Sequence, residues 1–213
     1  VIKKTDSRSL GYNFKLIALT HLPFYKDEYS EGRIYSPTTI GNAILQFLST
    51  HNTQKNPIAF TINGNHIAQQ FCMQAASFYT QSTQDNPEQL IEYYALDCEK
   101  NDMSMHYVCA IERSMIMQYQ LIAIAHTLNL QVLSTPAMAH LNLYRYVSKK
   151  VSPHFKLNKL EDALKSNNYQ TRNLIDNNAI ETIIQMPTFL EKTCQNYDEI
   201  STALGAIIPL ISA

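Results

Sequence analysis

Between Met105 and Val147 the apolar positions change period twice, and this stretch organises the chain. Val108 and Ala110 lie in a short apolar run that predicts a strand, and 130–133 predicts another. The residues between them fall into two apolar stripes on a 100° helical wheel. Met115, Ile116, Tyr119, Ile122, Ala123 and His126 form one stripe; Met117, Leu121, Ile124, Ala125 and Leu128 form the other. Gln120 and Thr127 separate them on one side, Gln118 and Asn129 on the other. A helix apolar on two sides predicts burial between two layers. Pro136 marks the start of the next helix. The polar interruptions exclude a bilayer span, which needs about 20 predominantly apolar residues.

The rest of the pattern predicts a mixed α/β protein. A basic segment, 1–11, precedes a strand over 14–22 that Pro23 ends. A charged loop, 24–35, leads to Ser36-Pro37, a helix start in which Ser caps a free backbone N–H and Pro fits the first turn. Ile40, Ile44, Phe47, Leu48 and His51 then share one helix face, with Asn42, Gln46 and Ser49 opposite. Ile58, Phe60 and Ile62 alternate as a strand, and Asn63-Gly64 predicts a type I′ hairpin returning through 65–73. Asn86-Pro87 predicts a helix over 85–94, followed by a strand through Leu96 and Cys98 and a turn over 100–104. Short helices are expected at 159–165, 178–186 and 188–194, and a last apolar helix from Asp198.

Composition narrows the chemistry. With 213 residues the chain buries a sizeable core. Its 17 basic and 18 acidic residues are scattered, so no basic footprint points to nucleic acid. Cys72, Cys98, Cys109 and Cys194 lack metal-site or disulfide-framework spacing, which points to reduced core thiols. There is no GxGxxG, no GxxxxGK[ST] and no GxSxG, and no His stands at ligand spacing from a Cys or carboxylate. His126 reads as a core residue. Asp97 and Glu99, on one face of a strand, are the acid/base pair an enzyme would use, with His106 a further candidate; without a cleft to hold them, a solvated strand end is the safer reading. The residues alone lead to a soluble intracellular α/β protein with no visible catalytic machinery.

Four stretches carry a resemblance. FKLIALTHLPF with EGRIYSPTTIGNAILQFL is similar to a strand, a "dGrI-d" loop and the helix after it. NPIAFTINGNHIAQQFCM, then ALDCEKNDMSMHYVCAIERSMIMQYQLIAIAHTLNLQVLSTPAMAHLNLYRYV, and finally NYDEISTALGAIIPLI follow in the same order. Together they resemble the PilM/HofM group of actin-like type IV pilus assembly proteins, distant relatives of FtsA. The resemblance implies an actin-like first half with an inserted small subdomain and a reduced second half. In that division 1–74 and 136–150 form the first actin-like subdomain, 75–135 the inserted α/β subdomain, and 151–213 the reduced half with its C-terminal helix. The family's first phosphate loop would precede Val1. Where the second is expected after Tyr146, VSKKVSPHFKLNKLEDALKSNN has no Asp-x-Gly. The resemblance therefore carries over no ATP or metal ligands.

What it implies is a non-catalytic cytoplasmic scaffold of a pilus or related secretion machine, held at the inner membrane by the cytoplasmic tail of a single-pass partner. The docking groove is expected at the junction of the first and inserted subdomains, at Phe71, Met73, Tyr93 and Tyr94. Met adapts to a groove, and Tyr offers apolar area with a polar tip. The alternatives are an ATP-binding actin-like protein whose loops lie outside this chain, and an unrelated small α/β enzyme using Asp97, Glu99 or His106.

Overall fold

The computed structural model describes residues 1–5, 14–64, 67–72, 89–100, 103–150, 177–185 and 197–212. Helices and sheets alternate along it, the mixed α/β class the pattern predicts. The chain divides into two compact units, 1–23 with 134–213 and 24–133.

In the first unit, β1 (Ile2–Lys4) pairs antiparallel with β2 (Phe14–Leu16), and β10 (Ile184–Gln185) pairs with β2 in parallel. Phe14 and Leu16 are buried and Lys15 is exposed, so β2 alternates as a half-buried strand should. It is shorter than the predicted 14–22, and β1 lies within a segment expected only to be basic. The helix predicted at Pro136 is α3 (Pro136–Lys150), and its first turn is capped by Thr135, whose Oγ1 accepts from the Met138 N–H at 3.3 Å. Helix α4 (Asn177–Ile183) leads into β10, and α5 (Tyr197–Ser212) packs along α3. The crossing is close. A Cβ on Gly205 would come within 1.8 Å of the Ala139 carbonyl oxygen, so only glycine admits this approach. His140, buried in the same contact, shares a 2.9 Å hydrogen bond through Nε2 with the Thr202 hydroxyl.

The second unit contains the Met105–Val147 core as far as Leu133. The loop expected over 24–35 is a tight hairpin, β3 (Tyr29–Ser30) with β4 (Arg33–Ile34). Its two turn residues, Glu31 at φ 50° and Gly32 at φ 83°, both take the positive φ that a type I′ turn needs. The predicted helix follows as α1 (Pro37–Thr50) with its polar residues outward. Ser36 sits at the N-cap position but bonds the Thr39 hydroxyl at 3.1 Å instead of a backbone N–H.

The hairpin expected at Asn63-Gly64 does not form. β5 (Ile58–Thr61) pairs with β9 (Leu130–Ser134), while β6 (Ala68–Cys72) pairs with β8 (Met103–Glu112). Gly64 serves a different purpose: a Cβ there would meet the Glu31 carbonyl oxygen at 1.9 Å. The Asn-Gly pair lets two backbones approach and does not turn a strand. The helix expected over 85–94 is also overturned where the structure describes it. Residues 89–94 begin β7 (Gln89–Lys100), which pairs antiparallel with β8 in the three-stranded order β6–β8–β7. Pairing along a long hairpin outweighs the local Asn-Pro start signal. Of the turn predicted over 100–104, Lys100 belongs to β7 and 103–104 to β8, and 101–102 lie outside the described residues. The short helices expected at 159–165 and 188–194 lie outside the described residues.

Helix α2 (Arg113–Ala125) corresponds to the two-striped segment. Met115, Tyr119, Ile122 and Ala123 are buried, and the helix packs on α1, β4 and β8. The second stripe is not covered. Met117 is 51% exposed, Leu121 57% and Ile124 73%, so burial between two layers is corrected to burial on one face. The polar separators explain which face won: Gln118 accepts from the Ile34 N–H at 3.0 Å and thereby orients its side of the helix toward β4.

Both α1 and α2 end in the same backbone motif. Thr53 N–H donates to the Leu48 carbonyl and Asn52 N–H to that of Ser49; Leu128 N–H donates to the Ala123 carbonyl and Thr127 N–H to that of Ile124. These are Schellman caps, with Asn52 at φ 53° and Thr127 at φ 51° in the left-handed position.

Candidate partner-binding site

Backbone register places three of the four expected docking residues on the β6–β8–β7 sheet. Phe71 and Tyr94 are both register partners of Tyr107, so the three occupy one cross-strand row. Tyr93 occupies the adjacent row with Val108 and Gln70. Adjacent rows belong to opposite faces of a sheet, so Tyr93 does not join the Phe71–Tyr94 row. Met73 lies outside the described residues. The row is anchored by Tyr107, which is buried; burial, and secondarily Cys109, pushes its phenol above the ordinary tyrosine range. Val108, Cys109 and Ala110 are fully buried, so the central strand is core and Cys109 is the buried core thiol expected of it.

The residues of the enzymatic alternative are spread along the same hairpin. His106 pairs with Ala95 and Ser104 with Glu99, and the register shifts between Leu96 and Glu99, leaving Asp97 within the irregular stretch. The three therefore fall at different rows. Among the described residues there is no cluster of three His, Cys, Asp or Glu able to hold a metal ion. His126 rests its ring against α1 at Gly41, which is a packing role.

A second cluster joins the β3–β4 hairpin to α2. Arg33 Nη2 lies 2.8 Å from Glu112 Oε2, and the Tyr119 hydroxyl donates to the Gly32 carbonyl at 3.0 Å. Phe60 packs its ring on Tyr119 with centroids 5.8 Å apart. Burial raises the Tyr119 phenol first, and the neighbouring Tyr29 adds to the shift. The Arg33 and Gly32 contacts hold the "EGRI" segment against Glu112 and α2, Phe60 adds β5 to the same side, and the opposite face of α2 is left to solvent.

That opposite face borders a groove of about 690 Å³ between α2 and β9, with Ala123, Ile124, Leu128, Leu130 and Val132 among its walls. The sequence signal for it is the second apolar stripe of α2.

Among solved structures, the PilM–PilN type IV pilus biogenesis complex resembles this fold in part. Identity is 14%, the TM-score is 0.49, and the match covers 61% of this chain and 43% of that one. The match thus spans less than half the length of that chain, and the likeness is one of partial outline. No family model matches the chain, and no curated protein does. Among the described residues no helix is long and apolar enough to cross a membrane.

Proposed function

We propose that the chain is a non-catalytic, actin-like scaffold of a type IV pilus or related secretion machine that docks the cytoplasmic tail of a single-pass inner-membrane protein. The observation that supports the reading most is the ordered resemblance of four stretches to the PilM/HofM group. The first stretch contains β2, the "EGRI" turn and most of α1, the third contains β8, α2, β9 and most of α3, and the fourth contains most of α5. The two strands of the second stretch do not pair with each other: β5 lies on β9 and β6 on β8. In this reading Phe71 and Tyr94, which share one cross-strand row, receive the tail. Other components of the machine are further partners, and the protein sits at the inner membrane only through them.

The reading takes no nucleotide. A triphosphate needs converging backbone N–H groups or a lysine, with a carboxylate for its magnesium ion. Those motifs cannot be placed at the family's positions in this sequence. Titration calorimetry with ATP–Mg²⁺ checks this: saturable micromolar binding favours the ATP-dependent alternative. Docking is checked separately with Met73→Asp and Tyr94→Asp, each first shown to fold by circular dichroism. Recruitment to the membrane fraction is expected to fall in both. Unchanged recruitment in both moves the docking site elsewhere.

A further inference from the structure

Asn63-Gly64 is the only Asn-Gly dipeptide in the chain, and the fold requires its glycine. A Cβ at position 64 would lie 1.9 Å from the Glu31 carbonyl oxygen, and one at position 32 would lie 2.6 Å from that of Asn63. Two stretches of backbone thus press on each other, and neither has a rotamer to yield. The flanks are fixed as well. Ile62 and Ile67 are buried, and the Gly64 carbonyl accepts from the Ile67 N–H at 3.2 Å. The two groups that can react with each other are left open. Asn63 is exposed, and among the described residues neither its side-chain amide nor the Gly64 N–H has a hydrogen-bond partner.

We infer that Asn63 is a site of spontaneous deamidation in the folded chain. The Gly64 nitrogen gives up its proton and attacks Asn63 Cγ. The bond from Cγ to the side-chain nitrogen breaks, ammonia leaves, and a succinimide ring closes. Water then opens the ring. Attack at Cγ restores the main chain and leaves an aspartate. Attack at the main-chain carbonyl carbon leaves an isoaspartate, with the chain routed through the former side chain. The reaction consumes one water and releases one ammonia, and it needs no oxidant, metal or second protein. Asparagine is thermolabile in general, and it reacts more slowly before a larger residue, whose side chain crowds the attacking nitrogen. That crowding is absent here for a reason of packing: the approach to Glu31 admits only glycine, so the fold itself keeps the reactive dipeptide. Either product adds a carboxylate beside the β3–β4 turn, and isoaspartate also lengthens the main chain where it meets Gly32.

The test is the rate of amide loss at Asn63 in the intact chain, set against the free peptide FTINGNHI, which has the sequence of residues 60–67. Both are incubated in the same neutral buffer, with circular dichroism confirming that the chain stays folded. Peptide mapping by mass spectrometry then follows asparagine, aspartate and isoaspartate at position 63. The folded chain is expected to react within about tenfold of the peptide, a barrier difference of at most about 1.4 kcal/mol. A chain that reacted only when it unfolds would be slower by roughly 10³-fold or more. A folded-chain rate more than about tenfold below the peptide's overturns the inference. So does loss of amide confined to other asparagines.

Discussion

The hydroxyl of Tyr119 donates to the carbonyl of Gly32 at 3.0 Å, joining the middle of α2 to the turn of a hairpin 87 residues earlier. Both partners are buried, and the contact stands beside the Arg33–Glu112 pair and the Ile34–Gln118 bond. Removing the hydroxyl leaves the carbonyl without that partner away from water. Tyr119→Phe is expected to cost about 1–2 kcal/mol in urea unfolding. Ile122→Ala, which empties a fully buried position on the same face, is expected to cost about 2–5 kcal/mol. Ile124→Ala, on the exposed face, should stay within ~0.5 kcal/mol of wild type. Equal effects at 122 and 124 would contradict the one-faced burial of α2.

Alkaline pH gives a second check. Burial raises the phenol pKa of Tyr107 and Tyr119 above that of an unfolded tyrosine, near ~10. Above that pH the unfolded chain loses these protons while the folded chain keeps them. The stabilisation from these groups is therefore complete below the unfolded pKa and declines as pH rises past it. Urea midpoints measured from neutral to strongly alkaline pH should fall, and the fall should be shallower in Tyr119→Phe. An identical slope in wild type and variant would place Tyr119 in water.

At the α3–α5 crossing the relevant quantity is space. A single methyl at position 205 meets the backbone of Ala139, which has no rotamer to yield. Gly205→Ala is expected to lower stability by about 1–3 kcal/mol, although alanine is the better helix former. A stabilised variant would mean that the two helices do not approach so closely.

The two Schellman caps make an internal comparison. Asn tolerates the left-handed conformation, whereas a β-branched residue such as Thr127 is strained in it. Thr127→Gly should raise stability by up to ~1 kcal/mol, and Asn52→Gly should change it little. Equal responses at both ends would contradict the strain at Thr127.

Much of this architecture was legible in the sequence because burial and period agree there. Ser36-Pro37, the Ile40–Leu48 face, the strand at 130–133 and the Pro136 start all follow from short-range chemistry. The errors came where distant segments decide. Asn63-Gly64 has the composition of a hairpin turn, but its glycine is needed for the approach of Glu31, which lies more than 30 positions upstream. The Asn86-Pro87 start signal was outweighed by the pairing of β7 with β8, although Ile91, Tyr93 and Tyr94 are all strand formers. The second stripe of α2 was visible as apolar, yet sequence does not say whether an apolar face is covered by its own chain. For the candidate site, strand register was not legible, so the separation of Tyr93 from the Phe71–Tyr94 row could not be foreseen.

The proposed role is tested most directly by photo-crosslinking in the cells that make the protein. A benzophenone side chain at Tyr94, and in parallel at Phe71 and Met73, would trap whatever lies against the sheet, for identification by mass spectrometry. The account predicts an adduct to the cytoplasmic segment of a single-pass inner-membrane protein of a pilus or secretion machine. Adducts only to soluble proteins outside such a machine, or none from any of the three positions, would contradict it.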